Sequence, residues 1–383
     1  MERAERTGGA EGSVSDQGGT AVFGAEQPAC KPAPDLSDLR TGAGEAFSDW
    51  VAKTGIEAVR LRSGAEEGEI VRMHIEPAAA ATVPALPAAE KPEKPEAAEA
   101  EKPIQAFVLP VQIEAQEGQE LSVIMDFTDP KGKPESRLLA VRTGIRAGRG
   151  SLVRLVQLQM TGERTEVISD IGAEVGDNAR VEIVQLFVGG AGLLAGALDG
   201  DQKHLSGAGV GAACVNTYAA SEINLRGAGS RSETYVGYLG AGTGKLDFNY
   251  NAVHRGQNTD SKMTVNGVLR DSAEKTFRGT IDFKTGSSGA VGAETEEVLL
   301  LGQNIVNKTI PLILCAEEDV KGSHGASIGQ LDEEMLFYLA SRGISEEKAV
   351  DLMAGARIGS IIGKIGDARA ERKVAEFLGM ETE

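Results

Sequence analysis

The sequence predicts a mainly β chain built as a solenoid of parallel strands, with a helical domain at its C-terminal end. Three observations support this prediction. Short period-2 runs of β-branched residues are separated by Gly, Asp and Asn turns, one stretch matches another 28 residues later, and the periodicity becomes helical after Gly329. The 383 residues include 49 glycines but only 4% aromatic residues, which is more typical of stacked short strands than of a helical bundle.

The composition argues against several classes of function. A formal net charge of −18 disfavours nucleic acid and anionic membranes as partners. No run of 18 apolar residues is present, and the first 20 residues lack the apolar segment of a secretory signal. The three cysteines, Cys30, Cys214 and Cys315, are odd in number and widely spaced, which suits a reducing cytosol better than a disulfide framework. We therefore expect a cytoplasmic protein.

The N-terminal region, residues 1–76, is predicted to be partly disordered, since its first 40 residues are rich in Gly, Ser, Glu and Pro. Between Gly44 and Ile75, EAFSDWVAKTG predicts a short amphipathic helix and EIVRMHI predicts a strand. Residues 77–104 follow as a linker, in which six prolines interleaved with Ala, Glu and Lys indicate a semi-stiff, solvated tether. A docking ligand for a proline-reading domain is the weaker alternative, because an aromatic or arginine anchor is missing.

The predicted solenoid covers residues 105–328. GRGSLVRLVQ, residues 148–157, matches GDNARVEIVQ, residues 176–185, in glycine, apolar and glutamine positions. A solenoid requires such recurrence, because each coil buries its apolar face only against the next coil. A β-sandwich would explain the alternation equally well, but it would not explain the repeat. The coinciding pairs are Val153 and Val181, Leu155 and Ile183, Val156 and Val184, and Gln157 and Gln185.

Residues 329–383 predict a small helical domain on the end of the solenoid. Asp332 is placed to cap a first helix that ends at Gly343, and Ser345 is placed to cap the second. Acidic residues in both first turns suit the positive end of the helix dipole. A third helix is expected around Ala368 to Leu378.

Two segments that suggest binding sites are interpreted more simply as turns. GYLGAGTGKLDF lacks the pattern of a phosphate-binding loop, because Leu239 stands where its first glycine is needed and Leu246 where Ser or Thr is needed. The acidic run Glu317-Glu318-Asp319 is interpreted as a solvated turn, with metal attraction as the weaker alternative.

His324 is the candidate site residue. It lies in KGSHGAS, whose small side chains give the ring no apolar shell, so the imidazole is expected to be exposed or directed at another chain. A dyad with Cys315 is conceivable, but Cys315 follows the apolar run TIPLIL and is expected to be a buried core thiol. His74, His204 and His254 show no partner pattern and are expected at the surface or in turns.

Three segments carry a resemblance to a known family. FRGTIDF (277–283), NKTIPLIL (307–314) and EEDVKGSHGASIGQLDEEMLFYLASRGIS (317–345) resemble the SufB/SufD family of iron–sulfur cluster assembly proteins, most closely its SufD branch. The strong part of the resemblance runs from about Gly240 to Ile365. It implies that the upstream strands form a right-handed parallel β-helix.

The resemblance also implies a function. It suggests a non-catalytic scaffold subunit of a SufBCD-type complex, which pairs with a SufB-like paralogue (or with itself) through the β-helix. A SufC-like ATPase of the ABC class would dock on the C-terminal helices and use the ATP. No cofactor would be held stably; iron or a nascent iron–sulfur cluster would lie transiently at the interface with SufB.

The same resemblance assigns the site. By position, His324 falls on the interface histidine implicated in building the nascent cluster, so it is the candidate cluster and metal ligand. Gly322 stands where the SufD branch often has cysteine, and no cysteine lies near Glu296, where the SufB branch has a functional one. Both departures favour SufD over SufB.

Two other functions are compatible with a solenoid. One is a β-helix carbohydrate-active enzyme with paired carboxylates on one face, against which the 4% aromatic content argues. The other is a purely structural solenoid. Co-purification with an ABC-class ATPase would separate the scaffold from both.

Overall fold

In the computed structural model the chain forms a parallel β-solenoid with helices packed on its outer faces. The structure describes residues 36, 39–64, 69–75, 81–83, 104–128, 137–162, 165–189, 216–330 and 333–380. Among these residues, no helix has both the length and the apolar character needed to cross a bilayer.

The strands are β1 (Val59–Arg62), β2 (Glu69–Ile75), β3 (Ala81–Val83), β4 (Ile104–Ala115), β5 (Glu120–Thr128), β6 (Arg137–Ala147), β7 (Leu152–Met160), β8 (Thr165–Val175), β9 (Arg180–Phe187), β10 (Thr217–Leu225), β11 (Arg231–Gly240), β12 (Lys245–His254), β13 (Asp260–Arg270), β14 (Glu274–Phe283), β15 (Ala290–Leu301), β16 (Val306–Cys315) and β17 (Val320–Gln330). The helices are α1 (Glu45–Lys53), α2 (Glu333–Ser341), α3 (Glu346–Ile362) and α4 (Ala368–Leu378).

Two sheets make up the solenoid. Sheet A runs in the order β1-β4-β6-β8-β10-β12-β14-β16, and sheet B runs from β2 through β5, β7, β9, β11, β13 and β15 to β17. Successive strands alternate between the sheets, so each coil adds one strand to each sheet in parallel. β3 is an exception, because it pairs antiparallel with β4. This topology confirms the predicted solenoid and rules out a sandwich of antiparallel strands.

The 28-residue match corresponds to one coil. On the neighbouring strands β7 and β9, Val153 pairs with Val181 and Leu155 pairs with Ile183, as the sequence predicted. All four residues have no exposed surface. Alternate residues of each strand point into the solenoid, which explains the period-2 pattern.

A left-handed residue recurs at one corner of successive coils. The backbone N–H of Gly150 donates to the Asp177 carbonyl in the next coil at 2.8 Å, and Asn178 N–H donates to the Ala228 carbonyl at 2.8 Å. A positive φ is accessible to Gly and, less readily, to Asn, which is why these two types recur at the turns. The corner residues are Gly118, Gly150, Asn178, Gly229, Asn258 and Gly289, with φ values between 53° and 76°.

A polar ladder crosses the otherwise apolar interior. Gln185 Nε2 donates to Gln157 Oε1 at 2.8 Å, and Ser169 Oγ donates to the same oxygen at 2.9 Å. Gln157 Nε2 donates to Thr143 Oγ1 at 3.2 Å, and the Tyr250 hydroxyl donates to Gln185 Oε1 at 2.5 Å. All five side chains are buried, so their hydrogen bonds offset the cost of removing them from water.

The solenoid begins earlier than the sequence suggested. β1 pairs with β4 and β2 pairs with β5, so residues 59–75 form a first coil within the segment assigned to the N-terminal region. The strand predicted for EIVRMHI is confirmed as β2. Residues 81–83, assigned to the linker, form β3, and Val83 is buried against sheet A. The rest of the predicted linker lies outside the described residues, apart from Ile104 at the start of β4.

The segment from Leu39 to α1 lies across the outer face of sheet A, and we call it the strap. The predicted helix is confirmed as α1, whose Phe47 and Trp50 are buried. Ala43 N–H donates to Asp170 Oδ1 at 2.8 Å. The strap runs so close to Gly172 on β8 that a Cβ there would lie 2.3 Å from the Arg40 carbonyl oxygen.

The C-terminal helices pack on the outer face of sheet B, and not on the end of the solenoid as the sequence suggested. Ile358 and Ile361 of α3 and Val374 of α4 share an apolar cluster with residues of sheet B such as Val156 and Val184. This position arises because the strands from β7 to β13 carry apolar residues on their outer face, which the helices cover.

The helix ends follow the sequence signals. The Ser345 side chain accepts a hydrogen bond from Lys348 N–H, as predicted, and Asp367 caps α4 by accepting from Ala370 N–H. Gly343, with a φ of 83°, lies in the turn after α2. The cap predicted at Asp332 lies outside the described residues.

Candidate functional site

The last coil, β16 and β17, carries no further coil on top of it within the described chain, and we call it the open end. Every residue from 321 to 330 on β17 is exposed. Because these two strands are at the sheet edges, they also present unpaired backbone N–H and C=O groups. The outer face of β16 carries exposed apolar residues, namely Val306 (38%), Ile310 (50%), Leu312 (47%) and Leu314 (42%).

His324 lies at this open end and is exposed, as the sequence predicted. It pairs in register with Glu294 on β15, between the exposed small residues Ser323 and Gly325. Cys315 was expected to be a buried core thiol, but it is exposed. The apolar run before it misled the prediction, because no later coil covers β16 in the part of the chain that the structure describes. No hydrogen bond joins Cys315 to His324, so the structure does not form the dyad.

A buried ion pair lies directly inside the open end. The side chains of Lys275 on β14 and Glu296 on β15 have no exposed surface, and Lys275 Nζ donates to Glu296 Oε1. Thr309 on β16 completes the network: its hydroxyl donates to Glu296 Oε2 at 2.6 Å and lies 3.2 Å from Lys275 Nζ. Burial lowers the pKa of Lys275, and the neighbouring Glu296 carboxylate opposes that change.

Glu294 is a second carboxyl group in the same interior. It is 4% exposed, and its side chain crosses to sheet A over Gly279, where a Cβ would lie 2.1 Å from Glu294 Oε2. Burial, together with the nearby Glu296 charge, raises the pKa of Glu294 to about 7, although Lys275 opposes this change.

Sequence reasoning missed these three charged residues, although a signal was present. On β14, Lys275 lies at one of the alternate, inward-facing positions, and Phe277 and Ile281 are apolar residues at other positions of the same set. Glu294 and Glu296 likewise share the inward phase of β15 with Ala290 and Val298. A charged residue on an inward phase indicates a buried partner across the solenoid.

The other two histidines that the structure describes lie beside polar or charged side chains. His254 was expected at the surface or in a turn, but it is the last residue of β12 and has no exposed surface; its ring nitrogens lie 2.7 Å from the Thr259 hydroxyl and 2.8 Å from the Ser261 hydroxyl. Burial lowers its pKa to about 4, so it is neutral at pH 7. His74 contacts Asp126 beside Lys373. His204 lies outside the described residues.

Both segments interpreted as turns are turns. The glycine-rich segment connects β11 to β12, and Gly242 N–H donates to the Asp271 carboxylate at 2.9 Å. In the acidic run, Glu317 accepts from Gly286 N–H and Asp319 accepts from the Ser288 hydroxyl, both at 2.9 Å. Within the described parts of the chain, no group of three or more His, Cys, Asp or Glu residues is arranged to hold a metal ion.

A second apolar surface lies on the C-terminal helices. Met353 packs partly against the cluster on sheet B. By contrast, Met335 (45%), Phe337 (77%) and Tyr338 (52%) of α2 and Leu352 (51%) of α3 are exposed. We call these four residues the α2 patch. An exposed apolar group of this kind is typical of a protein interaction site.

Comparison with known proteins identifies the segment that contains the open end. Residues 203–357 match the family described as SUF system FeS cluster assembly, SufBD core domain. The iron–sulfur cluster assembly protein SufD of Bacillus subtilis is 29% identical over 150 residues, which is 39% of this chain and 34% of SufD.

Two further relatives also align with only part of this chain. SufB of Bacillus subtilis is 31% identical over 130 residues, 34% of this chain and 28% of SufB. A chloroplast SufBD family protein of Arabidopsis thaliana is 27% identical over 181 residues, 47% of this chain and 32% of that protein. The matched part therefore spans about a third of the length of these relatives.

The alignment with SufD is longer than the alignment with SufB, 150 against 130 residues, at nearly equal identity. This difference agrees with the SufD-like run around His324. The core-domain match over residues 203–357 and these relatives together show that this part of the chain is similar to SufB/SufD family proteins of iron–sulfur cluster assembly.

Proposed function

We propose that this chain is a non-catalytic scaffold subunit for iron–sulfur cluster assembly in a SufBCD-type complex. The observation that carries the proposal is the core-domain match over residues 203–357, which includes the whole open end and His324. In this proposal the chain positions its partners and a nascent cluster, and it performs no catalytic step itself.

The open end supplies the surface for pairing with a SufB-like paralogue or with a second copy of the chain. The exposed residues Ile310, Leu312 and Leu314 on β16 would bury apolar area, at roughly 25 cal/mol per Å². A partner strand would satisfy the edge hydrogen bonds of β16 or β17 by β-augmentation. The α2 patch is the corresponding surface for an ABC-class ATPase.

His324 is the group that would contact the cargo. A neutral imidazole is a good ligand for iron, and Ser323 and Gly325 leave its backbone open to close approach. Four-thiolate ligation is not available from the chain, which has three cysteines in total. Iron or a nascent cluster would therefore be held only transiently, with further ligands supplied by the partner, while ATP is used by the ATPase.

Co-expression with a SufB-like paralogue and an ABC-class ATPase tests this proposal. All three proteins should co-purify, and His324→Ala should leave the complex intact while lowering its iron and sulfide content several-fold. His74→Ala is the matched control, because His74 lies far along the solenoid on β2, and it should load clusters like the parent. Failure of the ATPase to co-purify would contradict the proposal.

A further inference from the structure

We propose that Glu294 is the second protein ligand, beside His324, for ferrous iron delivered to the open end. The inference rests on the proposed function for the identity of the metal. It assigns a role to a buried carboxyl group that the sequence comparison does not single out.

The strand register makes the two residues direct neighbours across the sheet. Glu294 and His324 are Cα partners on the parallel strands β15 and β17, which lie about 4.8 Å apart. Both belong to the inward phase of their strands, so both side chains leave the sheet on the same face. On β17 the neighbouring inward positions are Gly322 and Ala326, which leave space around the imidazole.

Charge supplies an independent argument. The two buried carboxyl groups face one buried cation, and Lys275 makes its ion pair with Glu296. Glu294 is only 4% exposed, and Lys275, the buried cation near it, is already paired with Glu296. A buried carboxylate without a cation of its own is costly, and a divalent cation beside it would remove much of that cost.

The missing side chain of Gly279 fixes where the carboxylate sits. Glu294 Oε2 occupies the volume that a Cβ at residue 279 would fill, at 2.1 Å. The carboxylate can therefore fold into the solenoid below His324, and an alanine at residue 279 would displace it.

The ligand types suit ferrous iron. Imidazole and carboxylate together with open coordination positions are the donor set of many non-haem iron(II) sites. Two ligands from this chain leave most positions free, which agrees with the lack of a three-residue cluster in the described part of the chain. The partner at the open end and water would complete the coordination.

The test is an anaerobic titration of the full-length chain, alone and in the three-protein complex, with Fe²⁺ and with Co²⁺ as a spectroscopic probe. Glu294→Gln keeps the side-chain shape, removes the charge, and should weaken metal binding about tenfold or more. His324→Ala should have a similar effect, and the double variant should lose little more, because both residues hold one ion. Gly279→Ala should weaken binding while it retains the carboxylate.

Glu297→Gln is the matched control. Glu297 is the outward-facing carboxylate three residues along the same strand, where it pairs with Arg357, so its loss should leave metal affinity unchanged. Thermal melts of each variant establish that it is folded. If Gly279→Ala does not fold, Glu294→Gln decides the question alone.

The outcomes separate this inference from the proposed function. If Glu294→Gln binds metal like the parent while His324→Ala does not, Glu294 is not a ligand, although the scaffold function stands. If neither variant changes Co²⁺ binding or its spectrum, the two-residue site is wrong. If the complex does not assemble but both variants still weaken Co²⁺ binding to the chain alone, the site stands and the proposed function fails.

Discussion

At the scale of single residues, the ion pair inside the open end makes one buried charge depend on another. Lys275 has no exposed surface, and its cation is balanced by Glu296. Lys275→Met should therefore lower the free energy of unfolding by roughly 3 kcal/mol or more, since it leaves two carboxyl groups in a dry interior. Urea denaturation of the full chain measures this change.

The double variant Lys275→Met, Glu296→Gln provides the control. It removes both charges and keeps an acceptor for the Thr309 hydroxyl, so it should recover more than half of the lost stability. Equal loss in the single and double variants would show that packing around Lys275, and not charge, causes the effect.

Residue environments were the least predictable feature, for identifiable reasons. His254 is buried because Thr259 and Ser261, across the next turn, satisfy both ring nitrogens, and neither neighbour forms a known motif. Cys315 is exposed because its strand lies in the last described coil. Whether another coil follows and buries a strand is not visible in the strand's own sequence. His324 was predicted from its small neighbours to be exposed or directed at another chain, and that inference needed no distant contact within this chain.

At the scale of elements, the buried carboxyl group that holds the strap on sheet A makes the stability of the chain depend on pH. Asp170 on β8 has no exposed surface, and burial raises its pKa from 3.8 to about 6 in spite of hydrogen bonds from the strap and attraction by Arg142. Below pH 4 the group is protonated in both the folded and the unfolded chain. From pH 4 to 6 only the unfolded chain ionises, so the free energy of unfolding falls as pH rises.

Asp170→Asn should remove this dependence of the free energy of unfolding on pH. The amide oxygen can still accept from Ala43 N–H, so the variant should gain stability over the parent between pH 4 and 6, reaching about 2–3 kcal/mol above pH 6. The measurement is urea denaturation of both proteins across that range. A stability difference that does not change with pH would show that Asp170 does not titrate in this way.

Elements were predictable where the signal was local and repeated. The 28-residue match placed Val153 opposite Val181 because a coil must bury the same positions each time. The caps at Ser345 and the end of α2 near Gly343 followed from helix-terminus chemistry. The assignment of residues 77–104 to a linker did not anticipate β3. A three-residue strand that pairs with β4 is too short to show a period-2 pattern in the sequence.

At the scale of the whole molecule, the helices and the solenoid share one apolar cluster. A chain ending at Gly329 would expose Val156, Val184 and their neighbours on sheet B, which α3 and α4 now cover. Truncation would therefore promote aggregation as well as remove the α2 patch, so a point substitution is the cleaner test of ATPase docking.

Phe337→Ser supplies that test. Phe337 is 77% exposed, so its loss should change the free energy of unfolding by less than about 0.5 kcal/mol. Capture of the ATPase should fall several-fold in a pull-down with the full chain. Ile70→Ser is the control, because Ile70 is an exposed apolar residue (40%) on β2, away from the patch. Unchanged capture by Phe337→Ser would place the docking site elsewhere.

The polar ladder of Gln157 and Gln185 has a consequence for how the chain finds its alignment during folding. Coils lined only with Val, Leu and Ile are nearly interchangeable, so a strand could stack one coil too far and still bury its apolar face. A glutamine opposite an aliphatic side chain would lose its hydrogen bonds, which makes such a misplaced coil costly. The ladder therefore favours the correct pairing of these two coils, and this pairing fixes the alignment of the coils that stack on either side.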